Sequence, residues 1–86
     1  MGRLGDLLTS RRAALGLTLC QMQERTGLSE AYLCKLETGR MRNPSVLKAL
    51  ALADGYEVPV GDLVDAAGRD AGWRPRIAPS QIRHAT

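Results

Sequence analysis

Phenylalanine is absent from this 86-residue chain, and its only aromatic residues are Tyr32, Tyr56 and Trp73. Any core must therefore consist mostly of Leu, Val and Ala. No apolar run approaches the roughly 18 residues of a membrane-spanning helix. The N-terminus lacks the apolar stretch and cleavage site of a signal peptide. A soluble cytoplasmic protein is expected. Histidine occurs once, as His84, and cysteine twice, as Cys20 and Cys34. Zinc takes about four ligands, so no metal site is expected. No Ser/His/Asp or Cys/His constellation is present, and glycine-rich phosphate loops are missing, so neither an enzyme nor a cofactor nor a small-molecule site is expected. The two cysteines read as reduced structural residues, with a redox switch as the alternative.

A chain this short is one small domain, with about 3–5 kcal/mol of stability. Its charge is unevenly placed. Residues 1–68 carry eight Lys or Arg and eight Asp or Glu, so the net charge of +3 lies entirely beyond them. Within the body, Lys35, Arg40 and Arg42 cluster, while Asp54, Glu57, Asp62 and Asp65 cluster further on. That polarity would turn one end toward a phosphate backbone.

The stretch from Thr18 to Glu37 reads as two short helices around a turn at Gly27. Thr18 followed by Gln21 is a capping box, and Leu17 and Met22 make the matching hydrophobic staple. Gly27 ends the first helix, since glycine takes the left-handed conformation without steric cost. Ser29 caps the second helix, Leu28 and Leu33 form its staple, and Gly39 stops it. Two helices of about eight residues do not hold alone, so Leu19, Met22, Leu28, Leu33 and Leu36 need a surface from flanking helices. Glu30, Ala31, Cys34, Lys35 and Thr38 fall outside the inward stripe. A helix pair with one polar face is what a helix-turn-helix offers to the DNA major groove.

Around this pair, Leu4, Leu7, Leu8 and Leu15 recur at helical spacing and predict a first helix from Arg3 to Leu15, ended by Gly16. Asn43 as cap and Pro44 as first residue predict a fourth helix, with Val46, Leu47, Leu50, Ala51 and Ala53 as its apolar residues. Tyr56 and Val58 are expected in the core. Pro59 opens a fifth helix, Leu63 and Val64 face inward, and the helix fades near Gly68. The expected fold is all-α and compact, with five helices over residues 1–68 and a basic C-terminal tail at 69–86. The tail holds Trp73, Arg74, Arg76, Ile77 and Ile82. Three readings of it stand: a disordered segment, one that packs or dimerises, and an arm that binds DNA or protein.

The ordered motifs resemble the Cro/repressor type of helix-turn-helix, the XRE family, over about Leu4 to Ala67, with a lambda-repressor-like architecture. The resemblance rests on Gly16-Leu17-Thr18, on Gly27-Leu28-Ser29, on the run Leu33 to Gly39, and on Asn43-Pro44-Ser45. It implies a sequence-specific regulator of transcription, repressor-like, antitoxin-like or a small chromosomal regulator. Such a regulator would be bacterial or phage-encoded, would lie on the nucleoid, and would bind double-stranded DNA as a homodimer on a palindromic operator. It implies that Ser29, Glu30, Ala31 and Lys35 read base edges. Lys35 suits guanine, Glu30 suits cytosine N4 and Ala31 a thymine methyl. Thr18, Tyr32, Thr38, Arg40, Arg42 and Asn43 form the phosphate set. Glu30 also reads as an acid placed for the helix dipole, and Tyr32 as a packing residue. The resemblance further implies an ion pair between Arg12 and Glu37. Three positions depart from the family: Leu19 replaces a phosphate-bracing glutamine, Gln23 a small residue that lets the helices close up, and Thr26 an apolar residue. Leu19, Glu30 and the neutral body leave a second reading, a protein-interaction module that binds another regulator or RNA polymerase.

Overall fold

The computed structural model describes residues 2–74. They form five helices, α1 (Arg3–Leu15), α2 (Leu19–Thr26), α3 (Glu30–Glu37), α4 (Val46–Gly55) and α5 (Val60–Asp70), and no strand occurs among the described residues. Arg76, Ile77 and Ile82 lie outside the described residues. The all-helical, five-helix expectation holds. α1 packs on α3 and α5, α2 on α3 and α4, and α4 on α5. Leu4, Leu8, Met22, Leu33, Leu36, Leu52, Tyr56 and Leu63 are fully buried where these helices meet. Leu17, Leu19 and Leu28 close the edge of that cluster.

Each turn of the motif has a local cause. The Thr18 hydroxyl accepts from the Gln21 amide at 3.1 Å, and Gln21 Oε1 accepts from the Thr18 amide at 2.8 Å. Gly27 ends α2 with φ +74°. The Ser29 hydroxyl accepts from the Tyr32 amide at 3.1 Å and starts α3. Gly5 is buried because α1 crosses α3 closely: a Cβ there would lie 2.7 Å from the Glu37 carbonyl oxygen.

α4 begins later than the sequence suggested. Ser45 is its cap, accepting from the Lys48 amide at 3.3 Å. Asn43 and Pro44 stay in the loop, and Ser45, in extended backbone, supplies the needed oxygen. One apolar position of α5 differs from expectation, and the apolar residues of α4 divide between two faces. Ala49, Leu52 and Ala53 point inward, while Val46, Leu47 and Leu50 are exposed. On α5, Leu63 and Ala66 are buried, but Val64 is exposed. The small residues Ala49 and Ala53 let α4 sit close to its neighbours beside Leu52, and that orientation leaves Val46, Leu47 and Leu50 outside. Gly55 shows the same closeness: a Cβ there would collide with the Thr26 methyl group.

α5 continues two residues past Gly68 and ends in a Schellman motif. The Gly72 amide donates to the Arg69 carbonyl (3.0 Å) and the Trp73 amide to the Gly68 carbonyl (2.8 Å), with Gly72 at φ +91°. This folds Trp73 back over Gly68. Asp70 then reaches the start of α1: its carboxylate accepts from the Arg3 amide at 2.8 Å and the Leu4 amide at 3.0 Å. The end of α5 thereby caps α1, whose own cap position, Gly2, has no side chain to do so.

Candidate nucleic-acid interface

The outer face of α3 is polar and open. Ser29, Glu30, Ala31, Cys34, Lys35 and Thr38 are all exposed, while Leu33 and Leu36 hold the helix to the core. Two of the first-turn amides of α3 are satisfied internally. Besides the Ser29 cap, the Glu30 amide donates to Gln23 Oε1 at 2.7 Å. Gln23 thus ties α2 to α3 across the turn. It is exposed and does not occupy the space between the helices, so the expected widening of the pair has no cause. Thr26 serves the same turn: its hydroxyl donates to the Met22 carbonyl at 2.8 Å and accepts from the Leu28 amide at 3.1 Å. Leu19 is half-buried against the core, as expected of the apolar positions of the helix pair.

The Ala31 amide and the side chains are what the start of α3 presents. In the first turn of α2, the Leu19 and Cys20 amides have no intrahelical partner. The Thr18 oxygen is committed as an acceptor to the capping box, which leaves its hydroxyl hydrogen to donate. The Thr38 hydroxyl donates back to the Cys34 carbonyl at 2.8 Å and keeps acceptor capacity only. Arg40, Arg42 and Asn43 are exposed in the loop after α3. Arg42 reaches back to the Gly39 carbonyl at 3.5 Å.

Tyr32 is half-buried against the core, and that burial raises its hydroxyl pKa above the ordinary value. The Lys48 ammonium sits 4.5 Å over the centre of its ring. Lys48 thus joins Lys35, Arg40 and Arg42 on this side of the molecule. Lys48 was not legible as part of this side, because it belongs to α4 and meets α3 only through the fold. A polar recess lined by Gly2, Thr38, Gly39, Arg42 and Asp70 continues from the end of α3 to the Asp70 cap.

Behind α3 lies the ion pair that the resemblance implied, with two further side-chain partners. Arg12 Nη2 donates to Glu37 Oε1 at 2.8 Å and Arg12 Nε to Glu37 Oε2 at 2.9 Å. The Tyr56 hydroxyl donates to Glu37 Oε2 at 2.7 Å, and the Thr9 hydroxyl to Oε1 at 3.3 Å. Arg12 Nη1 also reaches the Leu17 carbonyl at 3.2 Å. Glu37 is 6% exposed, and no buried side-chain nitrogen or oxygen among the described residues lacks a partner. The hydrogen bond to Glu37 holds the Arg12 pKa above its usual value. Tyr56 is raised well above the ordinary tyrosine range, first by burial and then by the carboxylate it donates to. The network joins α1, the entry to α2, the end of α3 and the end of α4. Tyr56 was legible as a core residue, but not as Glu37's third partner.

Cys20 and Cys34 are exposed free thiols, so neither serves the core as a buried structural cysteine. Among the described residues, no group of three or more His, Cys, Asp or Glu is placed to hold a metal ion. No described helix is long and apolar enough to cross a membrane.

Two short capped helices in tandem, with the second one's polar face outward, define a helix-turn-helix protein. A family model described as a helix-turn-helix domain matches residues 3–67. The chain belongs to this family, of the XRE/Cro type, whose members are DNA-binding regulators. It is 31% identical over 86 residues to an uncharacterized HTH-type transcriptional regulator, RghRB, of Bacillus subtilis (strain 168), covering 100% of this chain and 58% of that protein. The chain thus spans little more than half the length of that relative. The crystal structure of the clp gene regulator ClgR from C. glutamicum is similar, with a TM-score of 0.63 and 30% identity over 85% of this chain and 94% of that one.

Proposed function

We propose that the protein is a sequence-specific regulator of transcription that places α3 in the DNA major groove. It acts as a dimer on a two-fold related site with half-sites about 34 Å apart. The observation that carries this reading is the open polar face of α3, flanked by four exposed cations, Lys35, Arg40, Arg42 and Lys48. Lys35, Ser29, Glu30 and Ala31 are assigned to base edges. Arg40, Arg42, Asn43, the Thr18 hydroxyl and the α2 first-turn amides are assigned to phosphates, as is Lys48. Tyr32 serves chiefly as a platform, its ring against the core under Lys48. Thr38 stands exposed beside Arg42, its hydroxyl bonded to the Cys34 carbonyl. The DNA-reading unit is the helical body; Asp70 and Trp73, placed in the tail on sequence grounds, also serve that body. One small reader contacts too few bases for tight specific binding, which favours two subunits. The relatives' descriptions as regulators support a bacterial gene regulator, working in the cytoplasm.

Selection of bound duplexes from a random pool at moderate salt tests this. A palindromic motif is expected, with Lys35→Ala losing preference at one position per half-site. No enrichment by a folded protein at any salt would replace this reading with the protein-interaction module.

A further inference from the structure

Gln23 links the two helices of the motif, and half of its side chain is not accounted for by that link. It stands one turn along α2 from Leu19, on the same face and about 6 Å further from the helix start. Its carboxamide spans the turn to α3, where Oε1 accepts from the Glu30 amide at 2.7 Å. With Gly27 and Ser29 it also lines an open recess at the turn.

That hydrogen bond fixes which way the carboxamide faces. A backbone N–H only donates, so the atom against it must be the oxygen. Nε2, with its two N–H donors, is therefore turned away from the Glu30 amide. Among the described residues Nε2 has no hydrogen-bond partner, and Gln23 is exposed. One half of the group is bound to α3, and the other half is already oriented for a further acceptor. Part of the ordering that a new contact costs has thus been met in the free protein.

We infer that Gln23 is a phosphate clamp, whose Oε1 holds the start of α3 while Nε2 donates to a phosphate oxygen of the bound duplex. The acceptor is a phosphate and not a base edge, because the first helix of such a pair crosses the backbone while the second enters the groove. Glu24 and Glu30 are exposed carboxylates close to Gln23 in the chain or the fold. Net charge therefore does not draw a phosphate to this spot, and directed hydrogen bonds must hold it. The Thr18 hydroxyl, the Leu19 and Cys20 amides and Gln23 together give α2 a row of uncharged donors. Phosphate contacts set the register of a reader on the duplex. This one is tied to the first amide of α3, so it passes that register directly to Ser29 and Glu30.

This inference rests on the DNA reading above, and the two can fail separately. A duplex recovered by the selection is prepared with one phosphate at a time replaced by an uncharged methylphosphonate. Binding is measured for the parent chain, Gln23→Ala and Gln23→Glu, with thermal melting to check that each is folded. Gln23→Glu keeps an oxygen for the Glu30 amide. Gln23→Ala should weaken binding to the unmodified duplex about tenfold, as for loss of a hydrogen bond to a charged group. In the parent, neutralising one particular phosphate of a half-site should weaken binding. In Gln23→Ala that loss should vanish, while the losses at phosphates facing the loop cations remain. In Gln23→Glu the same neutralisation should strengthen binding, because it removes a repulsion. A pattern of losses that is the same in the parent and Gln23→Ala overturns the inference but leaves the DNA reading standing. So does a Gln23→Glu variant that gains nothing at any linkage. A folded parent that binds no duplex overturns both.

Discussion

Glu37 is held by more donors than any other carboxylate described, and its removal has a definite expected effect. Glu37→Ala leaves Arg12 and the Tyr56 hydroxyl facing an empty site, and should cost about 3 kcal/mol. Urea unfolding measures that loss, and base preference among duplexes that still bind should not change; altered preference with normal melting would remove the structural role. Tyr56 adds a dependence on pH. Its folded pKa is raised above the unfolded value of 10.0, so its contribution is fully present below about pH 10. Above that, the unfolded chain ionises while the folded chain keeps its proton, and stability falls as pH rises. Tyr32 acts in the same sense. Tyr56→Phe should cost about 1–2 kcal/mol at neutral pH and flatten the alkaline fall in melting temperature. An equally steep fall in that variant would assign the effect to other groups.

At the scale of helices, contacts one turn apart were legible in the residues, whereas the Arg12–Glu37 pair across the fold was legible only through the family resemblance. Thr18 with Gln21, Ser29, Gly16 and Gly27 state their helix ends in the residues themselves, and all four expectations hold. The α4 start was misplaced because Asn43 and Ser45 are both sound caps, and only the chain's path into the helix decides between them. The outward turn of Val64 was hidden for a different reason. Apolarity suggested that it faced inward with Leu63, whereas packing buried Leu63 and Ala66 instead. Gln23 looked like a misfit because its partner, the Glu30 amide, lies across a turn whose geometry the sequence does not print. Gln23→Ala should cost about 1 kcal/mol, like the loss of a cap, read by thermal melting. The closeness of α2 and α4 gives a sharper test. Gly55→Ala should destabilise by about 1–3 kcal/mol through overpacking against the Thr26 methyl group. In a Thr26→Ser background, which keeps the hydroxyl and removes that methyl group, most of the cost should vanish. Full additivity of the two changes would mean that Thr26 is not the obstacle.

Over the whole molecule, the candidate DNA surface draws on residues far apart in sequence. Lys48 on α4 reaches it only because α4 packs beside the motif. Lys48→Ala should lower affinity about equally for all duplexes and reduce the salt slope by about one; a sequence-dependent loss would make it a base reader. The cap that Asp70 places on α1 also acts at this scale. It brings the two ends of the helical body together, and it does so at the recess shared with Thr38 and Arg42. A Cβ at Gly2 would collide with the Asp70 carboxylate, so this junction has no spare room. Anything fused ahead of Gly2 therefore emerges at the edge of the candidate DNA surface. A purification handle placed there should weaken duplex binding, and its cleavage should restore it.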